Sequence, residues 1–137
     1  MRLRPTETFF YGLFMDEELL RAKGLNPKNV ELASVAGRTL RIGRRATLEP
    51  NPDGSVHGVL MSLAWAELQR LYSEPGVAEY RPEAVLVQPA SGGLVAALCY
   101  TLPQLPSASE RNPEYASKLR ALAQKIGLPA EYVLRIE

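Results

Sequence analysis

Apolar positions in this chain cluster into short runs, each broken by charge, proline or glycine. The first run, residues 8–13, reads Thr-Phe-Phe-Tyr-Gly-Leu. It is aromatic and does not alternate, which predicts a strand buried on both faces in the centre of a sheet. Gly12 breaks it. Asp16 then opens a predicted helix over 17–23, with acid in the first turn and Gly24 as its stop. Residues 26–29 read as loop. Residues 30–36 and 38–43 read as two short strands around Gly37, with 46–49 prolonging the second. Asn51-Pro52-Asp53-Gly54 is the clearest turn signal, because proline presets φ and glycine tolerates a positive one. A strand over 55–63 follows. Trp65, Leu68, Leu71 and Tyr72 then recur at helical spacing, and residues 73–76 end that helix. Two strong strands, 83–87 and 94–101, flank Ser91-Gly92-Gly93 and predict a hairpin. Residues 103–112 read as an exposed loop. Asn112-Pro113 starts a helix whose Tyr115, Leu119, Leu122 and Ile126 share a face. Gly127-Leu128-Pro129 stops it before a last short helix over 130–135.

Strands and helices are not regularly interleaved, so a doubly wound parallel sheet does not fit. The order predicts an α+β fold: a small mixed sheet, curved into a partly closed β-barrel, with peripheral helices. A length of 137 residues matches one domain spanning 1–137. The apolar share of 46% is enough for a real core. A net charge of +1 lacks the basic surplus of a dedicated nucleic-acid binder. One cysteine, Cys99, and one histidine, His57, exclude an internal disulfide and a Cys-rich zinc site. Arg2 and Arg4 precede the first apolar run, but that run is short and ends in Asp16-Glu17-Glu18, unlike a signal peptide. No segment reaches the roughly 20 apolar residues of a membrane span. The expectation is a cytoplasmic protein with no membrane partner.

The order of motifs resembles the γ-glutamylcyclotransferase-like superfamily. Phe10-Tyr11-Gly12-Leu13-Phe14-Met15 looks like its aromatic-Tyr-Gly-Ser signature. His57-Gly58-Val59-Leu60-Met61 resembles its aromatic-Gly-Val strand, which precedes a helix. The stretch from Leu71 to Arg81 is similar to its Leu-Asp-x-x-Glu-Gly segment with a following Tyr. Pro113-x-Tyr115 and Gly127-Leu128-Pro129-x-x-Tyr132 resemble the tail of the γ-glutamylcyclotransferase branch. The resemblance implies a small barrel-like fold, with a pocket at the end of the first strand near the loop after the central helix. It implies release of 5-oxoproline from a γ-glutamyl amine compound, without cofactor or metal. Tyr11, Gly12, Leu13, Phe14 and Tyr80 are its implied substrate-binding residues, and the implied partner is a γ-glutamyl or related carboxylate ligand.

In that chemistry the substrate's α-amine attacks its own γ-carbonyl and closes a five-membered ring. The attacking amine sheds a proton and the leaving amine gains one, so one carboxylate in a water-poor pocket serves both steps. Two positions depart from the pattern. Leu13 stands where the family has Ser. Pro75 stands where the family has its catalytic Glu, with Glu74 one residue earlier. Glu74 is therefore the candidate proton shuttle, and Glu79 and Glu83 are further candidates. Three function classes stay open: a cyclotransferase, a binding module that kept the pocket and lost the acid, and an interaction scaffold. The remaining chemistry-bearing residues read as structural. His57 occupies a strand, Cys99 is a small core hydrophobe, and Tyr115 and Tyr132 dock the terminal helices. Arg38, Arg41, Arg44 and Arg45 form a basic stretch that is by default a solvated face, with an anion site for a substrate carboxylate as the alternative.

Overall fold

The computed structural model describes residues 5–137; Arg2 and Arg4 lie outside the described residues. Five strands close into a barrel: β1 (Thr6–Phe10), β2 (Lys28–Ile42), β3 (Ala46–Leu63), β4 (Arg81–Pro89) and β5 (Val95–Thr101), in the order β1-β3-β2-β4-β5. Neighbours run antiparallel except β1 and β5, which meet in parallel at Thr8 and Leu98 and complete the ring. Helices α1 (Glu17–Ala22), α2 (Trp65–Leu71), α3 (Pro113–Ile126) and α4 (Ala130–Leu134) sit at the periphery. The fold is the expected α+β mixed barrel, closed rather than partly closed.

β1 lies between two partners, and its Phe9 and Phe10 are buried. The strand stops at Phe10, short of the expected residue 13. From Gly12 the chain turns into a one-turn 3-10 helix, Leu13–Met15. Gly58 on β3 explains how tightly β1 is held. A Cβ at that position would stand 2.1 Å from the Phe10 carbonyl oxygen and 3.0 Å from the Phe9 ring. The small residue lets the two strands meet just before the chain leaves the sheet.

Two expectations about the middle of the chain are corrected. Residues 28–42 form one strand, not two short ones. Gly37, with φ at +82°, marks a break in register rather than a break in the strand. Opposite it, Asn51-Pro52-Asp53-Gly54 is not a hairpin turn. Ala36 pairs with Ser55 and Arg38 with Pro50, so these four residues bulge from the ladder within β3. The Asn51 side chain accepts the Asp53 N–H at 3.0 Å and donates to Thr39 Oγ1 at 2.8 Å. Local turn chemistry therefore makes a bulge, because long-range pairing resumes on both sides of it. The actual reversal between β2 and β3 is Gly43-Arg44-Arg45, closed by the Gly43 N–H on the Arg45 carbonyl at 3.1 Å.

The helices anchor as their sequence predicts, with one exception. The Asp16 carboxylate accepts the Glu18 and Leu19 N–H groups, and the Asn112 side chain accepts the Tyr115 N–H at 3.0 Å. Gly127, with φ at +92°, closes α3 in the left-handed region that favours glycine. Leu68 and Leu71 of α2 are buried, but Trp65 is half exposed because it sits at the first turn, outside the buried face. Truncating a fully buried leucine such as Leu68 or Leu119 costs about 2–5 kcal/mol.

Candidate functional site

Where β1 ends, a cavity of about 210 Å³ opens beside the turn that carries Gly12, Leu13 and Phe14. Five of the chain's six tyrosines and all three phenylalanines line it. Tyr11 comes from the end of β1, Tyr72 from the end of α2, Tyr100 from β5, Tyr115 from α3, and Tyr80 from the segment before β4. The rings hold one another. Tyr72 stacks on Tyr100 with centroids 3.8 Å apart and planes within 9°. Phe14 meets Phe10 and Tyr72 edge-on at 6.2 and 5.8 Å, and Tyr72 lies 6.1 Å from Tyr80. Such aromatic contacts contribute about 0.5–1.5 kcal/mol each beyond their buried area.

The phenolic groups are pinned as well. The Tyr11 hydroxyl donates to the Tyr100 carbonyl at 2.8 Å, and the Tyr80 hydroxyl donates to the Ala46 carbonyl. The Tyr115 hydroxyl comes so near Gly12 that a Cβ there would stand 2.7 Å from it. Gly12 has an ordinary extended φ of −113°, so it is this close approach, not the backbone angle, that favours glycine here. Burial, and then the Cys99 thiol beside it, push the Tyr11 phenol well above its usual 10. Burial raises Tyr72, Tyr80, Tyr100 and Tyr115 as well, with the Leu13 N–H opposing the shift at Tyr115 and Arg45 opposing it at Tyr80. The phenols of the wall are therefore neutral at physiological pH.

Arg45 is the one charged side chain among the described residues that line the cavity. Its guanidinium carbon lies 5.8 Å from the centre of the Tyr80 ring, within cation–π range. Nη1 donates to the Gly76 carbonyl at 3.5 Å, and Nη2 pairs with Glu79 Oε2 at 3.1 Å. Arg45 thus ties the β2–β3 turn to the loop after α2.

The sequence candidates fall into two groups. Tyr11, Gly12, Leu13, Phe14 and Tyr80 come together around this one cavity. The three carboxylates do not. Glu74 is turned to Lys23, whose Nζ lies 2.8 and 3.1 Å from its two oxygens. Glu79 is held by Arg45 and is 70% exposed. Glu83 pairs with Arg38 at 2.6 Å and accepts from Thr101 Oγ1 at 3.1 Å. None of the three lines the cavity, whereas Gly76 and Val77, just beyond Pro75, do. Four lining residues carried other readings in the sequence. Tyr72 looked like helix core, Tyr115 like helix docking, Arg45 like a solvated face with an anion site as the alternative, and Tyr100 like part of an apolar strand. The signal for all four was only that each stands at the end of an element. His57 packs against the Tyr132 ring at 5.0 Å and does not line the cavity. Among the described residues, no three His, Cys, Asp or Glu side chains gather as metal donors, and no helix is long and apolar enough to cross a membrane.

Comparison with known proteins gives a consistent picture. Residues 55–136 match the model of the AIG2-like family. No curated protein matches the chain. Among solved structures, an uncharacterized protein from Homo sapiens is similar with a TM-score of 0.79 at 24% identity, covering 98% of this chain and 89% of that one. A γ-glutamyl cyclotransferase is similar with a TM-score of 0.78 at 22% identity, covering 97% and 88%. YkqA from Bacillus subtilis follows at 0.77 and 24% identity, covering 96% of this chain and 52% of its own. At these identities the structural likeness is one of fold.

Proposed function

The chain belongs to the AIG2-like family, and from that premise we propose that its aromatic cavity binds a γ-glutamyl or related carboxylate compound without cyclising it rapidly. The observation that carries this reading is the wall itself: neutral phenols, phenyl rings, the backbone at Leu13 and Phe14, and one guanidinium, with no carboxylate among the lining residues. Arg45 supplies a charge-assisted partner for a ligand carboxylate, and the turn supplies backbone N–H groups beside it. The rings supply an apolar enclosure that excludes water from the folded ligand. Leu13 in place of the family's Ser removes a hydroxyl and favours an apolar ligand group near that turn.

Cyclisation asks for more than binding. As the α-amine forms its bond to the γ-carbonyl carbon and the bond to the leaving amine breaks, a proton passes from the first nitrogen to the second. A positioned carboxylate accelerates such a transfer by about 10²–10⁴-fold. Glu74 and Glu83 are committed to other cations. A second reading attaches to Glu79, one ion pair away from the wall: if a ligand carboxylate displaces it from Arg45, Glu79 becomes the proton relay at the cavity rim.

The test is to supply purified protein with γ-glutamyl dipeptides, following calorimetric binding and 5-oxoproline release together. The expected outcome is saturable binding with turnover close to the uncatalysed rate. Rapid turnover abolished by Glu79→Gln establishes the second reading, and rapid turnover abolished by Glu74→Gln gives the shuttle role to Glu74. Absence of binding overturns the site assignment.

A further inference from the structure

A second cavity, of about 200 Å³, shares Arg45 with the first. Its character is the opposite. Arg44 and Arg45 of the β2–β3 turn form one wall, and Glu79, Gln104 and Glu110 add polar groups. The cavity is preformed. The Asn112 side chain donates to the Arg44 carbonyl at 2.9 Å, and Arg41 Nη2 donates to the Ser107 carbonyl at 3.0 Å. A Cβ on Gly43 would fall 2.4 Å from Cβ of Pro106, so the turn and the loop after β5 are in direct contact.

The charges in this cavity are not equally committed. Glu79 is paired with Arg45. Glu110 accepts the Ser107 N–H at 2.9 Å. Arg44 differs: its backbone is pinned, yet among the described residues its exposed guanidinium has neither an ion-pair nor a hydrogen-bond partner. A cation held on a fixed turn beside a polar cavity is a ready partner for an anionic group, and a guanidinium fits a carboxylate through two parallel hydrogen bonds.

We propose that this second cavity receives the distal end of the ligand, that this end bears a carboxylate, and that Arg44 is the residue that selects it. The inference rests on the reading of the aromatic cavity as the γ-glutamyl site. With the glutamyl part there, the half joined to its γ-carbonyl extends past the shared Arg45 into the polar cavity. A γ-glutamyl amino acid places an anion beside Arg44, and a γ-glutamyl alkylamine of equal length does not.

The experiment measures calorimetric Kd values for such a matched pair against wild type, Arg44→Gln and Arg44→Lys. Hydrogen bonds to charged groups favour the acid by roughly tenfold at a half-open site. Wild type is expected to show that preference, Arg44→Gln to lose it while its affinity for the alkylamine stays unchanged, and Arg44→Lys to keep part of it. Arg44 is exposed, and a thermal melt of each variant verifies that it folds. Equal binding of both ligands by wild type, or equal weakening of both by Arg44→Gln, overturns the second subsite and leaves the first intact. Failure of both ligands to bind wild type overturns the first cavity's assignment and this one with it.

Discussion

Under the proposed reading, position 75 is the residue that separates a binding pocket from a cyclising one. Gly76 and Val77 line the cavity, while Glu74 reaches away to Lys23. Position 75 lies between them, and proline offers neither an acid nor an N–H there. Pro75→Glu is therefore expected to raise 5-oxoproline release from γ-glutamyl dipeptides by about 10²-fold or more over wild type, with dipeptide affinity little changed. Product formation over time checks this. A folded variant that binds the dipeptide and shows no gain would mean that position 75 is not aimed at the ligand. At this scale the sequence was uneven to read. The turn from Tyr11 to Phe14 is contiguous, so a local motif exposes it. Arg45 in the β2–β3 turn, Tyr72 just past α2 and Tyr100 in β5 are far apart along the chain, and only barrel closure brings them together. A lone arginine in a basic stretch reads as solvated until its neighbours across the barrel are known.

At the level of elements, helix boundaries followed local chemistry, because caps and stops act over a few residues. Strand boundaries did not. Asn51-Pro52-Asp53-Gly54 has every local property of a turn, yet the ladder to β2 continues on both sides. Pairing across tens of residues outweighed the local preference, and pairing partners are not written in a four-residue window. The same long-range logic gives Gly58 its weight. With the Phe10 carbonyl 2.1 Å from where a Cβ would go, Gly58→Ala must push β1 away from β3. The expected cost is about 2–4 kcal/mol, read as a lowered urea midpoint. Because Phe10 directly precedes the cavity turn, ligand affinity should fall in the fraction that remains folded. A variant as stable as wild type would show that the two strands part without penalty.

Taken as a whole, the molecule stores protons in its interior. Burial, then Glu83 nearby, pushes the Cys99 thiol up to about 12 from its usual 9. Burial likewise pushes the Tyr132 phenol up to about 12, and Tyr11 and Tyr72 also stand well above their usual 10. Above pH 9 the unfolded chain releases protons that the folded chain retains. The folded state then binds more protons, so stability falls as pH rises and is lost progressively between about 9 and 12. The urea midpoint at pH 8, 10 and 11 is expected to drop stepwise, and a flat profile would contradict the buried, protonated state of these groups. The route by which the barrel closes has a different consequence, in time rather than in energy. β1 pairs with β3 about fifty residues downstream, and Thr8 waits for Leu98 to complete the ring. Contacts so distant along the chain fold slowly, in milliseconds to seconds. On a ribosome adding roughly 5–20 residues per second, the aromatic N-terminal strand emerges on the order of ten seconds before its last partner. During that interval the Phe-Phe-Tyr segment that later walls the cavity is an exposed apolar strand, open to non-native contacts until the barrel closes over it.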